Sequence, residues 1–574
     1  MNTGTPVSPA SRETAAENTP AGGGIEVFAA SALFGGLGAL LPLGAMRRAT
    51  SAAVRHPAPV VRTLARLPGG LVTATVGGAP DRVGRDSRFT DRAWQGNPFF
   101  RRLAAGYLTT CDAVMTILDD LDTDWRTREQ LRQSVDNLLA AAAPTNNPLV
   151  NPEVWKEVLD TGGSNFLRGS RYVLDDWRTP SKLPAAVDRS AFRIGETIAA
   201  TPGAVVRRER LYELLQYTPT TEKVDAVPTV FIASPVNKFY LLDLAPDRSL
   251  IRAELRAGRR VFVISWVNPD ASHADVGFDD YIAALIEAME TACRIAGTDS
   301  CHPIGLCGGG QITLIAAAYL AAVGRQQLMA TLSIAIAVTD FSAGPAGSAS
   351  LDRGRARRAI EKSRRSGRFD AADTARSFAV MRPVDGIWNA FVHRYLLGRA
   401  APKHDLLYWA ADQTDLAAAF GADLLEIALD NPFVVPGRAR IRDTPIDVSA
   451  ISVPTYVLGA STDHISPWRD CYRTVAMIGE TADFVLATGG HAAAIARGPG
   501  AERASYRTSV PALGVDADEW LGRSELHAGP WWDHWNAWLT SVSPDTTTAP
   551  AHLGDDAYPV LGDAPGTYVR RVAS

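Results

Sequence analysis

The sequence predicts an α/β protein: a doubly wound, mostly parallel sheet that carries an inserted helical cap and is preceded by an α-rich N-terminal domain. Three observations predict it. From about residue 228, short β-rich runs recur, each followed by a longer helical stretch, and strands alternating with helices make a parallel sheet covered on both faces. The alternation lapses between Asp340 and about Ile446 and then resumes, which is how an insertion into such a sheet reads. Ahead of residue 228 the apolar periodicity is helical, through Phe100–Ala143 and again through Pro152–Leu174.

Composition narrows the class. The chain has 574 residues, 46% hydrophobic and 21% charged, which is the balance of a globular protein with a large core. Its net charge of −4 argues against a chain built to hold nucleic acid, whose domains carry a concentrated basic excess. Five scattered cysteines (Cys111, Cys293, Cys301, Cys307, Cys471) do not make a disulfide framework, so a reducing, cytoplasmic compartment is expected.

Taken in order, residues 1–24 are rich in Thr, Pro, Ala and Gly and read as a disordered leader. Val27–Met46 is twenty residues without a charge, long enough to span a bilayer. Gly35, Gly36, Gly38, Pro42 and Gly44 interrupt it, so a helix lying on an apolar surface or packed on the rest of the chain is the alternative. Between Arg47 and Arg102, eleven Arg face three Asp, a solvated basic face or an anionic-surface contact. The division expected is 1–75 for leader plus apolar and basic segment, 76–215 for the α-rich domain, and 216–574 for the catalytic domain with a cap at about 341–445. The strands of that last domain are expected at Thr229–Ala233, Arg260–Trp266, Pro303–Leu306, Leu332–Val338, Pro454–Leu458 and Phe484–Ala487. Within the cap, Arg353, Arg355, Arg357, Arg358, Lys362, Arg364, Arg365 and Arg368 oppose a single Glu361, either as a solvated helix face or as an attractor of a polyanionic substrate.

The sharpest chemical signal is Ile304-Gly305-Leu306-Cys307-Gly308-Gly309-Gly310-Gln311 ahead of the apolar helix Ile312–Ala322. Strand, G-x-C-x-G, helix is a nucleophile elbow with cysteine in place of serine. The glycines relieve the collision where the strand turns sharply into the helix. The thiol then stands above a helix N-terminus, whose field lowers its pKa, and the Gly308 N–H is one oxyanion donor. Such an elbow needs an acid after a later strand and a histidine after the last. Asp463 comes just past the end of the strand Pro454–Leu458, and His491 just past Phe484–Ala487. His464 lies beside the acid and reads as a contact to a substrate hydroxyl, with a plain structural role as the alternative.

The motifs around these residues resemble one family, the poly(3-hydroxyalkanoate) synthases. The elbow box Gly305–Gly310, the acid motif Asp463-His464-Ile465-Ser466-Pro467-Trp468 and the histidine motif Phe484–His491 are similar to the family's. Further matches are Asp86–Pro98, Tyr217–Lys223, Asn237–Leu244, Ile264–Asp270, Asp405–Trp409, Thr444–Asp447, Trp531-Trp532 and Ala564–Val569, so the resemblance spans about residues 80–570. Three positions depart from the pattern and none is in the triad: Ser234-Pro235-Val236 for the usual Pro-Pro turn, Gln311 for a Thr, and Arg497-Gly498-Pro499 for Asn-Pro-Pro. Met381–Leu397 and the ending Cys471-Tyr472-Arg473 resemble the single-subunit, medium-chain (class II) type.

The resemblance implies an α/β-hydrolase fold and an acyltransferase that polymerises (R)-3-hydroxyacyl-coenzyme A into polyester with release of coenzyme A. Cys307 would carry the acyl group, His491 act as base and Asp463 orient it. Val236, in the turn after Thr229–Ala233, is the expected second oxyanion N–H, and Asn237 a candidate substrate contact. Coenzyme A is part of the substrate, and no further cofactor or metal is expected. The implied partners are the growing chain, the granule surface and a second copy in a homodimer, with a cytoplasmic, granule-associated location. Two other classes carry the same sequence features: a cysteine hydrolase of this fold, and a catalytically silent granule-surface protein, against which the intact triad in the correct chain order argues.

Overall fold

The computed structural model describes residues 43–77, 80–342, 353–496, 504–509 and 514–573. The expectations for the leader, for most of Val27–Met46 and for Arg497-Gly498-Pro499 fall outside them. Contacts divide the described chain into two units, one of residues 43–188 with 372–404, the other of residues 189–371 with 405–573. Among the described residues, no helix is long and apolar enough to cross a membrane.

The first unit is helical. Helices α1 (Leu43–Arg55) and α2 (Pro57–Gly77) occupy the basic segment, and α2 packs on α3 (Pro98–Asp120). Local chemistry sets the helix starts. Asn97 accepts from the Phe99 N–H with Pro98 in the first turn, Asp124 accepts from the Thr127 N–H at the head of α4 (Trp125–Ala141), and Asn151 does the same for Glu153 ahead of α5 (Pro152–Thr161). Trp94, Phe89, Val83 and Leu108 form a small buried cluster.

Residues 372–404 join this unit, whereas the expected cap ran unbroken through about 341–445. The reason lies on α6 (Ser164–Trp177) and α4. Asn165 donates to the Leu396 carbonyl at 2.8 Å, and Asn137 donates to the Val380 carbonyl at 2.9 Å. Gly169 lets the Tyr395 backbone approach so closely that an added Cβ would overlap its carbonyl. Buried Asp176 accepts from Arg394 Nε at 2.7 Å and from the Tyr395 hydroxyl at 3.0 Å. Contacts across some two hundred residues of chain leave no mark on local periodicity.

The second unit holds one sheet, eleven-stranded among the described residues. Its strands are β1 (Gly203–Arg208), β2 (Tyr212–Tyr217), β3 (Thr229–Ile232), β4 (Val261–Trp266), β5 (His302–Leu306), β6 (Leu332–Ala335), β7 (Thr455–Ala460), β8 (Ala482–Ala487), β9 (Ser505–Thr508), β10 (Glu525–Ala528) and β11 (Gly562–Asp563). The spatial order is β10-β9-β8-β7-β6-β5-β3-β4-β2-β1-β11. The run from β8 to β4 is parallel throughout, and the flanking strands are antiparallel. The six expected strands are the six parallel ones. Their side chains are buried on both faces, as in Val261–Trp266, so each reads as a short apolar run.

The antiparallel flanks are additions to the sequence expectation. They bring residues 203–217 into the sheet, so this unit begins at Arg189 rather than at 216. Strands β1 and β9 to β11 have mixed or exposed side chains, which is why the parallel-strand signature misses them. Among the described residues, no strand of the main sheet comes from the segment between Asp340 and Ile446. There Arg353–Ser366 is a helix whose Ala356, Ala359, Ile360 and Ser363 are buried and whose Arg357, Arg358, Lys362, Arg364 and Arg365 are exposed, the geometry of a solvated face.

Asp176→Ala leaves the largely buried Arg394 guanidinium without its carboxylate, and is expected to cost about 3 kcal/mol. Urea unfolding would show a lowered midpoint, with faster proteolysis within 384–397. An unchanged midpoint would mean that this ion pair does not anchor the segment.

Candidate active site

Strand β5 ends at Leu306, and the next residue, Cys307, takes φ 55° and ψ −123° before helix α7 (Gly308–Ala322) begins. A non-glycine residue in this region is strained by about 1–3 kcal/mol. The surrounding contacts impose it. The Cys307 N–H donates to the Ala335 carbonyl at the end of β6 at 2.9 Å, and its carbonyl accepts from the Gly310 N–H at 2.8 Å. The flanking glycines make the turn possible. A Cβ on Gly305 would lie 2.6 Å from the Gly309 carbonyl oxygen, one on Gly310 would lie 2.7 Å from the Ala337 Cβ, and one on Gly309 would overlap the Ile232 carbonyl at the end of β3.

The acid and the histidine come from the loops after β7 and β8. Those loops are joined by the Ser461 N–H to the Ala487 carbonyl at 2.8 Å and the Thr462 N–H to the Gly489 carbonyl at 2.9 Å. Asp463 Oδ1 accepts from the backbone N–H groups of Ile465 and Ser466, each at 2.8 Å. Its other oxygen faces His491 Nδ1 at 2.7 Å, and His491 Nε2 faces Cys307 Sγ at 3.2 Å. All three residues are buried. Sulfur, imidazole and carboxylate therefore form one continuous chain, with the acid fixed by two further donors.

Electrostatics favours the charged ring. Burial acts to lower the His491 pKa, but the Asp463 carboxylate and the Cys307 sulfur outweigh it and hold the imidazole well above its ordinary 6.5. A thiolate–imidazolium pair is the form such an environment stabilises. Burial instead pushes the Cys111 and Cys301 thiols above their ordinary range, against reaction as thiolates.

The remaining expected residues are placed as follows. Gly308 is the first residue of α7, so its N–H is one of the helix-start donors without an intrahelical acceptor. The Val236 N–H lies 3.3 Å from the Ser234 hydroxyl, within a turn just beyond β3. Asn237 is buried, and neither atom of its amide group hydrogen-bonds within the described residues. His464 is half-buried beside the acid. The sequence reading did not find the two backbone donors on Asp463, nor the buried ion pair of Lys238 with Asp412 at 2.9 Å. A lysine directly ahead of the apolar stretch Phe239–Leu242 was the available sign of the latter. Among the described residues, no cluster of His, Cys, Asp or Glu could hold a metal ion.

Residues 85–253 match the family described as "Poly-beta-hydroxybutyrate polymerase (PhaC) N-terminus", and residues 242–497 match "alpha/beta hydrolase fold". Poly(3-hydroxyalkanoate) polymerase 2 of Ectopseudomonas oleovorans is 36% identical over 530 residues, covering 92% of this chain and 94% of its own length. Poly(3-hydroxyalkanoate) polymerase 1 of the same organism is 35% identical, covering 84% and 86%. The poly(3-hydroxyalkanoate) polymerase subunit PhaC of Cupriavidus necator is also 35% identical, covering 85% and 83%.

The raised His491 pKa gives a signed prediction for alkylation of Cys307 by iodoacetamide. A ring still charged as pH rises through 6.5 favours a thiolate beside it, so alkylation is expected to proceed below the ordinary thiol range of about 8.5. Asp463→Asn removes an anion that raises this pKa, so the imidazolium is lost at lower pH. Alkylation between pH about 6.5 and 8.5 should then fall. A profile identical to that of the parent would show that Asp463 does not tune the pair.

Proposed function

Because the chain belongs to the poly(3-hydroxyalkanoate) polymerase family, acyltransferases of the α/β-hydrolase fold, we propose that it polymerises (R)-3-hydroxyacyl-coenzyme A through an acyl group carried on Cys307. The observation that carries this reading is the buried chain from Cys307 Sγ through His491 to Asp463, with spacings of 3.2 and 2.7 Å. The Cys307 thiolate attacks the thioester carbonyl, and the coenzyme A sulfur leaves with the proton from His491. The new thioester is about as activated as the old one, so it can still acylate an alcohol. His491 then takes the proton of a 3-hydroxyl, and the alkoxide oxygen displaces Cys307 to form the ester. Asp463 holds the ring in register for both steps.

The negative oxygen formed in each step is received by the Gly308 N–H and, in this reading, by the Val236 N–H, which would exchange its 3.3 Å contact with Ser234 for the substrate. Asn237, buried with an amide that lacks a partner among the described residues, and His464 are the side chains proposed to meet the substrate. Coenzyme A arrives as part of that substrate, so the cycle uses no separate cofactor. The proposed partners are the growing polyester and its granule surface in the cytoplasm, and a second copy in a homodimer. The runs Met381–Leu397 and Cys471-Tyr472-Arg473 support medium-chain monomers.

Cys307→Ala should abolish both polymer formation and coenzyme A release while leaving the circular dichroism spectrum intact. Coenzyme A release retained by that variant would sink the assignment. Asp463→Asn should slow turnover by roughly ten-thousandfold with the acyl-enzyme still formed. Free hydroxyacid in place of polymer from the parent protein would indicate a hydrolase.

A further inference from the structure

The turn that follows β3 is held from outside the sheet. It starts against the elbow, since a Cβ on Gly309 would lie 2.8 Å from the Ala233 carbonyl oxygen. It ends in the short helical turn Phe239–Leu242, which packs on the helix His491–Ala496 that begins with the catalytic histidine. Between these points the backbone is gripped by residues 409–414, from the return limb of the insertion. Thr414 donates its hydroxyl to the Pro235 carbonyl at 2.7 Å, Gln413 bridges to Asn237, and the Trp409 indole donates to the Lys238 carbonyl at 2.7 Å.

At the centre of this grip, Lys238 Nζ meets Asp412 Oδ1 at 2.9 Å, and the Tyr240 hydroxyl donates to Asp412 Oδ2 at 2.8 Å. Lys238 and Asp412 are 6% and 8% exposed, and Tyr240 is fully buried. An ion pair so far from water gains little net stability over apolar side chains of the same volume, because removing both charges from water offsets most of their attraction. What it supplies is a geometric requirement: each charge is costly unless the other is in place.

We propose that the buried Lys238–Asp412 pair positions the turn 234–237 for catalysis, setting the Val236 N–H against the oxygen of the carbonyl that Cys307 attacks and tying that donor to the insertion. This rests on the reading of Cys307 as an acyl carrier. Lys238 and Asp412 touch neither the nucleophile nor its base; they act through the backbone they hold. The Val236 N–H is only loosely engaged by Ser234 at 3.3 Å, at the long end for such bonds, so the turn's placement decides whether that donor meets a developing oxyanion.

The test uses full-length protein with an (R)-3-hydroxyacyl-coenzyme A and follows coenzyme A release. Two variants are compared, Asp412→Asn and the apolar replacement Lys238→Met with Asp412→Leu, which removes the pair without stranding a charge. Both should lose about tenfold to a hundredfold in kcat, with KM within about threefold of the parent. Iodoacetamide should alkylate Cys307 at the parental rate, because the Cys–His–Asp chain is untouched. Parental kcat in a folded double variant overturns the proposal, as does alkylation that falls in step with kcat in both variants, which would mark a purely structural pair. A parent protein that releases no coenzyme A overturns the acyl-carrier reading and this proposal together.

Discussion

The close approach of helix α7 to the ends of β3 and β5 is the constraint on which the site depends. Cys307 sits at a positive φ because the chain must reverse from strand to helix within one residue, and it can do so only where Gly305, Gly309 and Gly310 leave no Cβ in the way. The strain at Cys307 is small beside the burial that holds it. The helix that follows is apolar almost all round and buried between its neighbours, as a helix covering a two-sided sheet must be.

From that placement the rest of the chemistry follows by geometry. The sulfur projects beyond the carboxyl ends of the parallel strands, where the loops after β7 and β8 also end. Two backbone hydrogen bonds between those loops bring Asp463 and His491 to one position. The carboxylate spends one oxygen on the backbone of residues 465 and 466 and the other on the ring. Asp463 is thus fixed in place, and the imidazole beside it retains its proton to higher pH.

The insertion divides its labour. Its middle, residues 372–404, is bound by the polar side chains of α4 and α6 within the helical unit, while residues 409–414 hold the turn beyond β3 in the sheet unit. The polar anchors at both places, Asp176 with the partly buried Arg394 and the buried pair of Asp412 with Lys238, are ion pairs whose partners lie far apart in sequence. Trp531 and Trp535 serve the same end by apolar packing, each also placing its indole N–H on an oxygen, the Ala494 carbonyl and the Ser333 hydroxyl.

By itself the sequence determined the six parallel strands, the elbow, and the chain order of the cysteine, aspartate and histidine that the fold brings together. These are local signals: apolar runs of strand length, glycines where a Cβ cannot fit, and a histidine and an aspartate just past strand ends. Only the tertiary structure decided that β1, β2 and β9 to β11 extend the sheet, that the middle of the insertion belongs with the N-terminal helices, and that Lys238 finds Asp412. Strands β1 and β9 to β11 lack the two-sided burial that marks the central ones, and β2, though buried throughout, carries Glu213 and Gln216 within its run. A contact between residues 172 positions apart, as in Tyr240 with Asp412, depends on where the chain returns after folding, which no local pattern of side chains encodes.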